Sequence, residues 1–171
     1  TISATYAPIP EALDGTRHTK AEFDAMVGNG NFVIFWDGEK VKCGRAVNSL
    51  VTTTQEKGDQ FKKIKIVECM DMIYDDIKQT AEDSYLGKFA NSYDNKCLLI
   101  SAIAAYFDTL KLDGIVSSYS VELDMETQRI YLKSIGKDVN SMSEQEIKEA
   151  NTGSKVFIKA SVAILDSIEE I

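Results

Sequence analysis

Residues Asp59 to Gly114 constrain the fold most, because they carry two helical stretches joined by a short polar loop. In the first, Phe61, Ile64, Val67, Met70, Ile73, Tyr74, Ile77 and Ala81 recur at three- and four-residue steps, drawing one apolar stripe along a helix of several turns. The second repeats the device with Leu99, Ile103, Tyr106, Phe107 and Leu110, and Gly114 is placed to end it. Between them, Gly87, Asn91, Ser92, Asp94 and Asn95 supply turn chemistry, with Ser92 or Asp94 as the cap of the second helix. So short a loop makes the helices antiparallel neighbours. Each needs a flat partner for its apolar face, and the flanking β-type segments provide one.

Those segments lie on both sides. Asn31 to Trp36 is an apolar run, Asp37-Gly38 is a hairpin turn signal, and a second extended run goes from Lys40 towards Val51. After Gly114, Ile115 to Leu123 reads as a strand or extended connection. Lys155 to Leu165 alternates as a strand with one apolar face, Val156, Ile158, Ala160, Val162 and Ile164. Two Thr/Ser-x-x-Glu capping boxes, Thr19 with Glu22 and Ser143 with Glu146, each open a short helix, and Asp124 caps another that runs to Gly136. The fold class expected is α/β (α+β): a small mixed sheet with a β-hairpin, covered by two long antiparallel helices, plus a helical insertion and a C-terminal strand. In domain terms, residues 1–16 with Pro8 and Pro10 are expected to be an extended linker or arm from a preceding domain. Residues 17–165 form the domain, with 124–153 as its helical insertion, and 166–171 form an acidic C-terminal arm. A start at Thr1 and not Met adds the expectation of a fragment or processed product.

With 171 residues and 44% hydrophobic content, one domain with a real core is affordable and two are not. The net charge of -8 argues against a nucleic-acid groove or an anionic membrane surface as partner. No apolar run reaches the roughly 20 residues of a membrane span. Three widely spaced cysteines, Cys43, Cys69 and Cys97, fit a reducing compartment better than a disulfide framework.

Chemistry-bearing patterns are few. His18 has no second His or Cys at metal spacing, and Gly28-Asn29-Gly30 follows a helix and precedes a strand, the reverse of a phosphate loop. Cys69 and Cys97 read as small core or boundary residues, and Asp71, Asp75, Asp76, Glu82 and Asp83 as the solvated face of the first long helix. No catalytic residue, cofactor or metal is expected. Lys57, Lys62, Lys63 and Lys65 form a basic cluster at the start of that helix, where the helix dipole does not favour it; its functional reading is a docking patch for an acidic partner surface.

The run Asn48-Ser49-Leu50-Val51-Thr52, Lys57, Phe61-Lys62-Lys63, Ile66-Val67, Asp71, Ile73, Asp76-Ile77, Tyr85-Leu86-Gly87-Lys88 and Asn91 resembles the C-terminal domain of contractile phage tail sheath proteins. The likeness is to the sheaths of myovirus-like prophages and phage-tail-like bacteriocins of Gram-positive bacteria. It continues through Leu99, Ala102, Tyr106, Leu110 and Gly114-Ile115, and Glu22, Gly30 and Phe32-Val33 fit as well. Lys65 departs from it, since the family often has Arg there, and so does the insertion, which many members lack. The resemblance implies a structural, non-enzymatic subunit that polymerises around an inner tube and contracts to drive the tube through a cell envelope. Its implied partners are other sheath subunits, the tail tube protein and the baseplate, in a virion or tail-like particle assembled in the bacterial cytoplasm. It further implies that the C-terminal stretch links subunits, which marks Lys155, Val156, Phe157, Ile158, Ile164, Leu165, Ile168 and Ile171. For Val156 to Ala163 an ordinary core strand of its own domain is the alternative, and the tail after it is the better donor, while the lysine cluster read above is the candidate for docking the tube or another partner. Alternatives are another phage tail component or a small ligand-binding or enzymatic α/β domain; the latter would need a concave site with convergent polar groups.

Overall fold

The computed structural model describes residues 3–55 and 57–169. The chain divides into two compact units, 1–74 with 166–171, and 75–165.

In the first unit, helix α1 (Lys20–Gly28) starts at the Thr19 and Glu22 capping box read from the sequence. Strands β1 (Ile34–Trp36) and β2 (Val41–Cys43) pair antiparallel across the Asp37-Gly38 turn, where Asp37 Oδ1 accepts from the Glu39 and Lys40 amides at 2.8 Å each. The second run stops at Cys43 instead of continuing towards Val51. Gly44 interrupts it, and beyond it Val47 keeps only a single bridge to Lys63. Residues of the expected N-terminal arm are extended, yet they lie along β2: Ile9 N donates to Val41 O at 2.9 Å and Cys43 N to Ala7 O at 2.9 Å. Phe35 receives the edges of Phe23 and Tyr6, and Val33, Val41 and Ala46 are buried.

Helix α2 (Ile64–Ser84) begins later than the stripe suggested, after a 3-10 turn over Asp59–Lys62. Its buried residues are Ile66 and Cys69, whereas Met70 and Tyr74 of the expected stripe are exposed. Ile66, Cys69, Ile73 and Ile77 form a second line at three- and four-residue spacing, and packing selects that line in the first turns.

In the second unit, α3 (Tyr93–Leu112) is capped by Ser92 and ends at Gly114, whose φ of +69° permits Ile115 N to donate back to Leu110 O. Strand β3 (Val116–Leu123) pairs antiparallel with β4 (Ile158–Ile164), from Val116 opposite Ile164 to Leu123 opposite Ile158. Phe107 of α3 is fully buried and stacks on Tyr119 of β3 at 5.3 Å. Among the described residues, the expected mixed sheet is therefore corrected to two two-stranded antiparallel sheets, β1 with β2 and β3 with β4. The helix cover is corrected too: α3 packs on β3, while the last turns of α2 line a groove with α3.

The expected insertion is the connection of the β3–β4 hairpin. It holds α4 (Met125–Ser134), capped by Asp124, and α5 (Glu144–Glu149), opened by the Ser143 and Glu146 capping box. Leu132, Val139 and Ile147 give it a small core of its own, and Asp124 N donates to Phe157 O at 2.9 Å to close its base. A helical module thus replaces a tight turn.

Candidate assembly interface

The residues marked for inter-subunit contact divide by location. Lys155 and Phe157 both lie against the Tyr131 ring of α4, the ammonium 5.0 Å and the Phe157 ring 5.4 Å from its centroid. Lys155 O and Gly153 O accept from Asn91 Nδ2 at 3.0 and 2.7 Å, so this approach segment is held within its own unit. Val156 is exposed. Ile158 and Ile164 are the two ends of β4 and are half-buried, while Leu165 N donates to Ile115 O at 2.9 Å. Strand β4 thus spends one edge on β3, and among the described residues no strand pairs with the other edge of either strand. Unpaired edges of this kind are where an added strand gains backbone hydrogen bonds.

Beyond Leu165 the chain enters a polar cradle in the first unit. Glu169, with its side chain only 8% exposed, places Oε1 2.8 Å from Thr5 Oγ1, 3.0 Å from Ser167 Oγ and 3.3 Å from Ser3 Oγ, all three donating to it. Its Oε2 lies 3.4 Å from Lys63 Nζ and 3.8 Å from an Arg45 guanidinium nitrogen. Asp166 pairs with the same Lys63 ammonium. The cradle is built by the backbone: Ala46 N donates to Thr5 Oγ1 at 3.0 Å, and Asn48 N to Lys62 O and Ile64 N to Ala46 O hold Lys63 beside the 45–48 loop.

Burial raises the proton affinity of the Glu169 carboxyl, but donation from Thr5 and Ser167 and the Lys63 charge outweigh it, so the group titrates below its ordinary value. Asp166 behaves alike, burial opposing and the Lys63 hydrogen bond prevailing. For Lys63 itself, burial favours the neutral amine, yet the two carboxylates keep its titration above the ordinary value. Ile168 lies 90% exposed between these anchors, and Ile171 falls outside the described residues.

The lysine cluster is not one surface. Only Lys65 lies in α2; Lys63 is extended backbone facing Val47, Lys62 pairs with Asp59 at 2.8 Å, and Lys57 closes a turn with Thr54. The acidic groups that meet Lys63 in the structure are this chain's own Asp166 and Glu169, not those of a partner surface. Ser3, Thr5 and Arg45 had no periodic signal to reveal them, because the cradle is assembled from segments far apart in sequence.

Among the described residues, no group of three or more His, Cys, Asp or Glu is placed to hold a metal. The groove between α2 and α3 is largely apolar, with Ile77, Ala81, Leu99 and Ile103 on its walls and a Tyr106 hydroxyl bonded to Asp76 at 2.6 Å. It offers a carboxylate already engaged and no convergent set of polar groups.

Residues 56–171 match the family described as the phage tail sheath C-terminal domain. The chain belongs to that family. A tail sheath protein of Clostridium phage phiCD119 is 42% identical to this sheath domain over 172 aligned positions, covering all of the chain and 48% of the relative. The domain thus spans about half the length of that curated relative. A crystal structure of a sheath tail protein from Desulfitobacterium hafniense aligns with a TM-score of 0.62 at 26% identity, over 71% of this chain and 30% of that one. The fold is also shared with a chain of the anti-feeding prophage baseplate (TM-score 0.64, 20% identity, 91% of this chain and 38% of that one). A sheath tail protein from Listeria innocua aligns with a TM-score of 0.57 at 20% identity, over 96% and 38%. The sheath family is structural.

Proposed function

We propose that this domain is the assembly module of a tail sheath subunit whose parent chain polymerises around an inner tube and contracts to drive the tube through a cell envelope. The observation that carries the reading is the β3–β4 hairpin, a two-stranded sheet with both outer edges unpaired among the described residues, in a chain of sheath family membership. A segment from a neighbouring subunit added to either edge gains backbone bonds worth roughly 0.5–1.5 kcal/mol each. Repeated through every ring, such links hold subunits together while their bodies rotate, and contraction becomes a change between two packings.

Residues 1–16 and 166–171 are the arms in this proposal, and 17–165 the body. Ile168 and Ile171, beyond the strand, are the apolar contacts offered to a neighbour, with Val156 beside β4. Lys57, Lys62 and Lys65, on separate segments, are individual contacts in this proposal for an acidic surface of the tube or baseplate. The particle is a phage tail or tail-like bacteriocin, assembled in the bacterial cytoplasm without enzymatic activity. Negative-stain electron microscopy of the full-length parent chain expressed alone tests this reading. Hollow striated tubes are expected; discrete small particles under assembly-promoting conditions would overturn it.

A further inference from the structure

Two features read separately in the sequence, a basic cluster awaiting an acidic partner and an acidic arm awaiting a neighbour, meet in the same chain. Asp166 and Glu169 converge on one ammonium, Lys63, and Glu169 is received by hydroxyls of Ser3 and Thr5 with Arg45 at 3.8 Å. An extended segment has no need of such a cradle to be soluble. The contact buries a carboxylate, satisfies it with several donors, and leaves the apolar Ile168 between the anchors in water.

We propose that segment 166–169 is a self-docked latch: in the unassembled chain it occupies the Lys63, Arg45, Thr5 and Ser3 cradle, and its release is a step required before the arm can engage a neighbouring subunit. This deepens the sheath reading and rests on it. The latch is held by ion pairs and hydroxyl donors with almost no apolar burial, so it opens without disrupting a core and is sensitive to ionic strength. It keeps arm and lysine mutually occupied, and each becomes available only when the other does. Assembly is thereby slowed where no neighbour is present to compete for the arm.

A zero-length carbodiimide crosslinker, which joins an amine to a carboxylate already in contact, tests the latch on the native sequence. With mixed isotope-labelled and unlabelled parent chains, mass spectrometry is expected to find Lys63 joined to Asp166 or Glu169 within one chain in the unassembled protein. The same crosslink is expected to be lost from assembled tubes. An intrachain crosslink that persists in tubes, or one absent from the unassembled chain, would overturn the latch. The double variant D166N/E169Q is expected to shorten the lag before tube formation roughly tenfold, and added salt to shorten it for the native chain but not for the variant. An unchanged or lengthened lag would overturn the braking role while leaving the sheath reading intact. Failure of native and variant chains alike to form tubes would instead remove the sheath reading on which the latch rests, whatever the crosslink shows.

Discussion

Lys96 is the clearest strained choice at the scale of single residues. Its side chain is 2% exposed in α3, and its ammonium has Ala150 O at 3.4 Å as its hydrogen-bond acceptor, so burial pulls its titration below the ordinary value of 10.5. The folded state therefore binds this proton more weakly than the unfolded chain. Its contribution to stability rises with pH through the alkaline range below 10.5 and vanishes as a pH effect above it. Lys96→Met keeps the stem and removes the buried charge. Urea unfolding at neutral pH is expected to show K96M more stable by about 1 kcal/mol, with a flatter alkaline pH dependence than the native chain. The cradle has the opposite signature. Asp166 and Glu169 titrate below their ordinary values of 3.8 and 4.5, so their stabilisation is complete above those values and is lost as pH falls below them. D166N/E169Q is expected to lose about 1–2 kcal/mol at neutral pH, and the difference from the native chain shrinks to nothing in strong acid. Most of that loss belongs to Glu169, because Asp166 is 44% exposed and water screens its pair.

At the scale of elements, two places show how local geometry is enforced. A Cβ at Gly44 would lie 2.8 Å from Phe23 Cε2 and 3.0 Å from Val33 O, and the Phe23 ring is itself held edge-on to Phe35. Neither neighbour can give way, so Gly44→Ala is expected to destabilise the hairpin unit by roughly 1–3 kcal/mol, read as a lower Tm. In the helical module of the second unit, Leu132 is fully buried against Val139 and Ile147. Leu132→Ala is expected to cost about 3 kcal/mol. Hydrogen exchange should then accelerate in α4 and α5 while β1 and β2 keep their protection. Gln128 adds a second clamp, donating to Ile147 O at the end of α5 from a fully buried position. The boundaries of α1, α3, α4 and α5 were legible because Thr19, Ser92, Asp124 and Ser143 are local caps, each satisfying an amide within three residues of itself. The buried face of α2 was not, since two overlapping apolar lines run along it and only packing chooses between them.

At the scale of the whole molecule, the chain spans about half of its curated relative and leaves sheet edges unpaired among its described residues. The chain by itself is therefore expected to stay monomeric or weakly associated; light scattering that reports a long polymer would contradict this. Sequence alone determined what depends on near neighbours: helix identity, the Asp37-Gly38 turn, the caps, and the motif pattern that marks the family. Tertiary structure decided which strands pair, since β4 could as well have joined β1 or β2 until its register with β3 was set across the helical module. It also decided where the basic and acidic segments go. Charges in water carry no sequence periodicity, and Lys63, Arg45, Thr5 and Glu169 become one site only when the chain folds.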